Sequence, residues 1–351
     1  MRLAIVGVGK LGEFHTKLIQ EISKERADVE LAGVFDLNEN RAREIASTYN
    51  TEVLPSLESV AERADAAVIA TTTSTHHEIA KYFLSHHVDL FIEKPITNTV
   101  SQADDLIQLE KEFQRKIQVG HIERFNPALR TVESYIGNPL YITAERLSGF
   151  SKRVTDVSVI LDLMIHDIDL ILSLVKSDVI RISASGISVF SKELDMATAR
   201  LEFKNGAVAN VSASRISRTK SRKMRFFCQN PNSYASLDLT TGKSEVFRIV
   251  DKPTQRKSTL KEFATQKIIE LFGDIQEALG DQTIEYISPE VPKTNALKTE
   301  LESFIDSLLF GKPIAVTSTE GRQAVDVATR ITEEISAHQS LIQTPGQKVI
   351  G

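Results

Sequence analysis

Short apolar runs separated by amphipathic stretches fill the first third of the chain. RLAIVG (residues 2–7), VELAGVFD (29–36), AAVIA (66–70), DLFIE (89–93) and KIQVG (116–120) predict short buried strands. Between them apolar residues recur at helical spacing. Leu11, Phe14, Leu18, Ile19 and Ile22 mark one helix, and others are predicted over 38–49, 77–86 and 101–114. Strands alternating with helices in this way predict a doubly wound parallel sheet.

Beyond about residue 122 the pattern changes to strands joined by turns. LYITAERLSGF (140–150), RISASGISVF (181–190), ATARLEFKNGAVANVSASRIS (197–217), KMRFFCQN (223–230) and ASLDLTTGKSEVFRI (235–249) are the strand segments, with KNGA and TTGK as hairpin turns. VILDLMIHDIDLILSLV (159–175) is apolar enough to be a buried helix. Leu297, Leu301, Phe304 and Leu308 mark another, GKP (311–313) a turn, and TSTE (317–320) a capping box that opens a last helix to about residue 338. Residues 251–283 are charged and weakly patterned, and carry no assignment. The expected fold is α/β: a Rossmann-type domain over 1–122, then an α+β domain over 123–351. The second domain has a large open, mostly antiparallel sheet covered on one face by helices.

Composition narrows the function. A chain of 351 residues has room for two cores, and a net charge of -5 argues against a general polyanion binder. The single cysteine, Cys228, excludes an internal disulfide framework and reads as a small core residue. No apolar run approaches the roughly 20 residues of a membrane span, so membrane insertion is not expected. MRLAIVGVGKLG enters the first strand directly, without a cleavage-site pattern, which suggests a cytoplasmic protein. RISRTKSRKMR (215–225) is basic, but no aromatic lies within it for base stacking; an exposed strand or subunit contact explains it better than nucleic acid does. His86-His87 lacks a convincing third ligand, so no metal site is expected.

Chemistry first shows in Gly7-Val8-Gly9-Lys10-Leu11-Gly12, set between strand and helix. Gly7 permits a tight turn, Gly9 lets backbone approach a pyrophosphate, and Gly12 lets helix pack on strand; the helix amino terminus then stabilises the phosphates. Asp36 ends the second strand, 24 residues after Gly12. It would accept hydrogen bonds from a ribose diol and repel a 2′-phosphate, favouring NAD, with NADP left open by nearby Arg41 and Arg43. Ligands in such sheets bind beyond the carboxyl ends of the strands. That places Thr71 and His76 of ATTTSTH, and Glu93 and Lys94 of EKP, at the same site.

The apolar run 159–175 poses a different question, because it carries Asp162, His166, Asp167 and Asp169. Burying ionisable groups is costly unless they are paired or used. Asp162, His166 and Asp169 share one helical face, whereas Asp167 points elsewhere. A carboxylate one turn from an imidazole can orient it and raise its basicity, which suits proton removal from an alcohol. A structural His–Asp pair would have the same spacing.

The glycine fingerprint, EKP after the predicted strand 89–93 and DxxxH on a buried helix together resemble the Gfo/Idh/MocA oxidoreductases, over nearly the whole chain. The resemblance implies an NAD(P)-dependent enzyme acting on a secondary hydroxyl of a sugar or polyol. It also implies a homo-oligomer, dimer or tetramer, built through the open sheet of the substrate-binding domain. The family's catalytic lysine falls on Lys94 and its aspartate and histidine on Asp162 and His166; which of Lys94 and His166 is the formal base stays open. Lys10, Leu11, Thr71, His76 and Glu93 join Gly7, Gly9, Gly12 and Asp36 as cofactor-site candidates, although ATTTSTH lacks the proline common in that loop. GHIERFNPA (120–128), with LYITAERLSGF and ANVSASRIS, is similar to a nucleotide-sugar branch of the family. That branch oxidises C3 of UDP-N-acetylglucosamine on the way to lipid A diamino sugars. Arg124, Asn126, Arg146 and Arg153 are its candidate substrate contacts, each arginine equally open to an ordinary ion pair. The alternatives are a dehydrogenase of a free sugar or cyclitol such as inositol, and a non-catalytic dinucleotide-binding regulator.

Overall fold

The computed structural model describes residues 1–150, 157–251 and 279–342. The chain forms two compact units, Met1–Phe125 with Thr294–Thr329, and Asn126–Lys293 with Arg330–Gly351.

In the first unit, strands β1 (Arg2–Val6), β2 (Glu30–Phe35), β3 (Ala66–Ile69), β4 (Asp89–Glu93) and β5 (Ile117–Gly120) are all parallel, in the order β2-β1-β3-β4-β5. Helices α1 (Lys10–Glu25), α2 (Glu39–Tyr49), α3 (Leu57–Arg63), α4 (Thr73–Ser85) and α5 (Val100–Glu112) connect them. The predicted doubly wound sheet is present. Its strand order reverses beside β1, which opens a crevice at the carboxyl ends of β1 and β3. Helix α3 has no counterpart in the sequence expectation. Its start is a reciprocal cap, with Ser56 and Ser59 bonded to each other's backbone N–H. In α1 the buried side runs through Gly12, His15, Thr16, Leu18, Ile19 and Ile22, while Leu11 and Phe14 are 40% and 48% exposed. The apolar spacing identified the helix but misplaced the start of its buried face.

The second unit begins with α6 (Pro127–Val132) and β6 (Asn138–Leu147). After α7 (Ile165–Val175) come β7 (Val179–Ile187), β8 (Met196–Phe203), β9 (Val208–Ser214), β10 (Ser221–Gln229), β11 (Ser233–Asp238), β12 (Lys243–Asp251) and β13 (Gln282–Ile287). Eight strands form one sheet, β13-β12-β11-β10-β6-β9-β8-β7, antiparallel except where β6 meets β9. Helix α7 packs on β6 and β9, covering one face as expected. Most of the unassigned stretch 251–283 lies outside the described residues; its end starts the edge strand β13.

Two helices follow, α8 (Ala296–Phe310) and α9 (Ser318–Ile342). The sequence reading kept everything after residue 123 together, but Thr294–Thr329 belongs with the first unit. The cause is apolar: Leu297, Leu301, Phe304 and Ile305 share one core cluster with Leu3, Ile5 and Phe91. The predicted capping box opens α9, where Thr317 N–H donates to Glu320 Oε2 at 2.8 Å and Glu320 N–H to Thr317 Oγ1 at 3.2 Å. Past Arg330, α9 meets β7: Arg330 donates to the Val179 carbonyl at 3.0 Å and Gln339 to the Gly186 carbonyl at 2.9 Å. Among the described residues no helix is long and apolar enough to cross a membrane.

Candidate active site

Close approach builds the glycine loop. Gly7 has φ of +86°, and its N–H donates to the Phe35 carbonyl at 2.8 Å. A Cβ on Gly7 would lie 2.7 Å from Thr71 Cγ2, and one on Gly12 only 1.8 Å from the Gly7 carbonyl oxygen. Both positions therefore need glycine. Gly9 differs, since nothing lies within 4 Å of where its Cβ would be. As the N-cap of α1, Gly9 makes no side-chain bond to the first turn. The open side and the helix amino terminus together suit an approaching phosphate.

Gly7 and Gly9 border a cleft of about 620 Å³ that Asp36, Leu37 and Thr71 also line. Asp36 is fixed by two backbone amides: Val8 N–H donates to Oδ2 and Asn38 N–H to Oδ1, each at 2.8 Å. A carboxylate offers about four acceptor sites, so two remain for a ribose diol. Leu37, 90% exposed next to Asp36, adds an apolar surface to the cleft that the sequence reading missed. The donor loop, carboxylate and apolar wall fit a dinucleotide.

The nearby arginines are already engaged. Arg41 donates to the Val8 carbonyl at 2.9 Å, to Glu44 at 2.9 Å and to Glu13 at 2.5 Å; Arg43 pairs with Glu39 at 2.8 Å. Asp36 thus faces the cleft without a free guanidinium from either. NAD(H) is expected to bind at least about tenfold more tightly than NADP(H), a difference of about 1.4 kcal/mol. Isothermal titration with both cofactors checks this, and equal affinities would mean that Arg41 leaves its carboxylates for the added phosphate.

Other cofactor candidates sit differently. Lys10 and Leu11 are exposed on the first turn of α1. His76 is buried, with Nδ1 3.0 Å from the Pro95 carbonyl oxygen and Nε2 3.2 Å from that of Thr71. It ties together the loops after β3 and β4. A neutral ring donates to only one of the two oxygens, and burial pushes the His76 pKa below its ordinary value against their pull. Glu93, also buried, has Oε1 2.7 Å from His15 Nε2, and its Oε2 accepts the Lys94 N–H at 3.2 Å. Lys94 follows β4 and is half-buried.

In the second unit, residues expected to form plain α-helix begin as a π turn, Ile160–Met164, that runs into α7. The Ile165 N–H reaches the Ile160 carbonyl, which widens the turn at the point where Asp162 sits. Asp162 and His166 are both partly accessible. Asp169 is 1% exposed, and Asp167 is 2% exposed.

Two protein-family models match this chain: "Oxidoreductase family, NAD-binding Rossmann fold" over residues 1–121 and "GFO/IDH/MocA C-terminal domain" over 128–230. UDP-N-acetylglucosamine 3-dehydrogenase of Acidithiobacillus ferrooxidans is 33% identical over 338 residues, covering 96% of this chain and 98% of that protein. The chain belongs to the Gfo/Idh/MocA family. It is an NAD-binding oxidoreductase. The solved structure of the A. ferrooxidans enzyme superposes with a TM-score of 0.82 at 32% identity, over 96% of this chain and 98% of that one. Inositol 2-dehydrogenase of Mycolicibacterium smegmatis is 31% identical over 179 residues, 48% of this chain and 51% of its own.

Within this Gfo/Idh/MocA chain, the residues suggested for substrate divide. Arg146 is 2% exposed; its Nε and Nη2 donate to Asp167 Oδ2 and Oδ1 at 2.9 and 2.7 Å. That buried two-bond pair fastens α7 to β6, the ion-pair reading that the sequence left open for this arginine. Arg124 pairs with Glu320 at 2.6 Å, and Asn126 caps α6 by accepting the Ala128 N–H at 3.1 Å. Arg153 lies outside the described residues. His15 was not singled out from sequence, although it stands three and four residues before Leu18 and Ile19, on their face of the helix.

Proposed function

We propose that this chain oxidises the C3 hydroxyl of UDP-N-acetylglucosamine to the 3-keto sugar, in the cytoplasm, as a step toward a lipid A diamino sugar. The full-length relative carries this reading: 33% identity extends over 96% of this chain and 98% of UDP-N-acetylglucosamine 3-dehydrogenase. Oxidation of a free cyclitol is the second reading, favoured by the inositol 2-dehydrogenase likeness over about half the chain.

NAD, when bound, supplies the hydride acceptor. The chain's own residues handle the proton, because the C–H bond can yield a hydride only as the hydroxyl loses its H⁺ and the carbonyl forms. In the proposed roles, the Lys94 ammonium stabilises the developing alkoxide, while His166 takes the proton with Asp162 orienting its ring. The formal base is one of Lys94 and His166. Arg124, Asn126 and Arg153 are the side chains proposed for the substrate's diphosphate and sugar hydroxyls, where guanidinium groups make charge-assisted bonds.

The same proposal includes a homo-oligomer formed through the open sheet. Tyr141, Phe227, Tyr234, Phe247 and Tyr286 contact one another in sequence across five strands, with ring centroids 5.8, 5.0, 6.0 and 4.9 Å apart. Tyr141 and Phe227 are 39% and 44% exposed, an apolar surface of the kind that a second copy would cover.

NADH formation with UDP-N-acetylglucosamine, free N-acetylglucosamine and myo-inositol tests the substrate. Turnover is expected with the nucleotide sugar, with UDP as a competitor and little activity on the free compounds. Turnover of myo-inositol unaffected by UDP would move the assignment to the second reading.

A further inference from the structure

Glu93 is a costly residue at its position. It ends β4 at 6% exposure, and its neighbours leave it little freedom: a Cβ on Gly120 would come within 3.0 Å of Oε2. A buried carboxylate is stabilising only when its oxygens are well bonded, and an apolar pair would hold the same elements together at least as well. Its two oxygens have different partners. Oε1 lies 2.7 Å from Nε2 of His15, which is 0% exposed on α1, and Oε2 accepts the backbone N–H of Lys94 at 3.2 Å. The His15 ring is held edge-on to Phe91, centroids 5.4 Å apart, and its Nδ1 has no hydrogen-bond partner. Among the described residues, that leaves Glu93 as the one hydrogen-bonding contact of the ring. The helix carrying His15 is the one whose first residues form the glycine loop. Thr16 ties back to the Gly12 carbonyl at 2.8 Å, beside the point where Gly12 abuts Gly7. A continuous path of one helix and two hydrogen bonds therefore runs from the dinucleotide loop to the Lys94 backbone.

We propose that His15 and Glu93 form a strut that fixes Lys94 relative to the dinucleotide-binding helix, which makes His15 a positioning residue for the lysine. The strut rests on the proposed role of Lys94 at the reacting hydroxyl. Its contribution is alignment, since a displacement of about 1 Å at a reacting group can lower the rate by up to about a hundredfold. It also sets a buried carboxylate beside the lysine, since Glu93 precedes Lys94 in the chain and accepts its N–H.

His15→Leu, His15→Gln and Lys94→Ala, each assayed as the full chain, test the strut. His15→Leu is expected to lower kcat by roughly ten- to a hundredfold, with KM and NAD affinity changed less than about twofold and the pH profile of kcat displaced. His15→Gln keeps an N–H donor for Glu93 and should recover most of the rate, which a merely space-filling role would not explain. If His15→Leu does not fold, Glu93→Gln carries the measurement: it preserves shape, removes the charge, and should also displace the pH profile. Wild-type kcat and an unchanged pH profile in folded His15→Leu, or in folded Glu93→Gln, would overturn the strut while leaving the lysine's role intact. Full turnover by Lys94→Ala would overturn both, and so separates failure of the site from failure of the strut.

Discussion

Lys94→Ala and His166→Ala are each expected to lower turnover by about 10²- to 10⁴-fold, the range for losing charge stabilisation or general-base function. NAD affinity should change less than about twofold, because the residues placed for the dinucleotide are others: the Gly7–Gly12 turn and Asp36, whose geometry depends on Val8, Asn38 and Phe35. Rapid-mixing assays with saturating cofactor, alongside titration of NAD, separate the two effects. Asp162→Asn should impair turnover less. It keeps shape at the π turn while losing the charge that supports a cationic imidazole. The basic group seen in the pH dependence of turnover should vanish or shift in the His166 variant. Normal turnover by a folded His166→Ala would make the half-exposed side of this helix structural.

Local signals made the first unit legible. Five short apolar runs, a glycine turn and an acid at a strand end are each encoded within a few residues, and the parallel sheet follows from their alternation. The open sheet was legible for a similar reason, since strand parity and the KNGA and TTGK turns need no distant partner. What escaped depends on distant partners or on backbone detail. Helix α8 is amphipathic, but its stripe does not say which core it will join; Leu301 and Phe304 join the first. No composition separates the π turn at Ile160–Met164 from ordinary helix. His15 looked like one more position on an apolar face until Glu93, 78 residues away, was found against it. Arg146 is the sharpest case. In β6 it shares parity with buried Ile142 and Ala144, which foretold burial. Its partner lies 21 residues further on, in another element. That partner gives Arg146 an internal fastening, the ion-pair reading that the sequence alone left open.

That fastening gives the largest expected loss of stability. Arg146→Ala should destabilise the fold by roughly 3–5 kcal/mol, the cost of removing one partner of a buried ion pair. Both side chains of the pair are only 3% exposed, so solvent cannot take over for the missing guanidinium. Asp167→Leu should also destabilise, as it removes the acceptor of two of the arginine's buried hydrogen bonds. Replacing both, with Arg146→Met and Asp167→Leu together, should restore much of the loss, because an apolar pair avoids desolvating two ions. Urea unfolding followed by far-UV circular dichroism measures all three variants against the wild type. Turnover adds a second readout, since Asp167 directly follows His166. The doubly apolar variant could regain stability and still turn over slowly if the two guanidinium bonds set the rotation of α7. Loss of less than about 1 kcal/mol in Arg146→Ala would place the value of this pair in the ordinary range of exposed ion pairs.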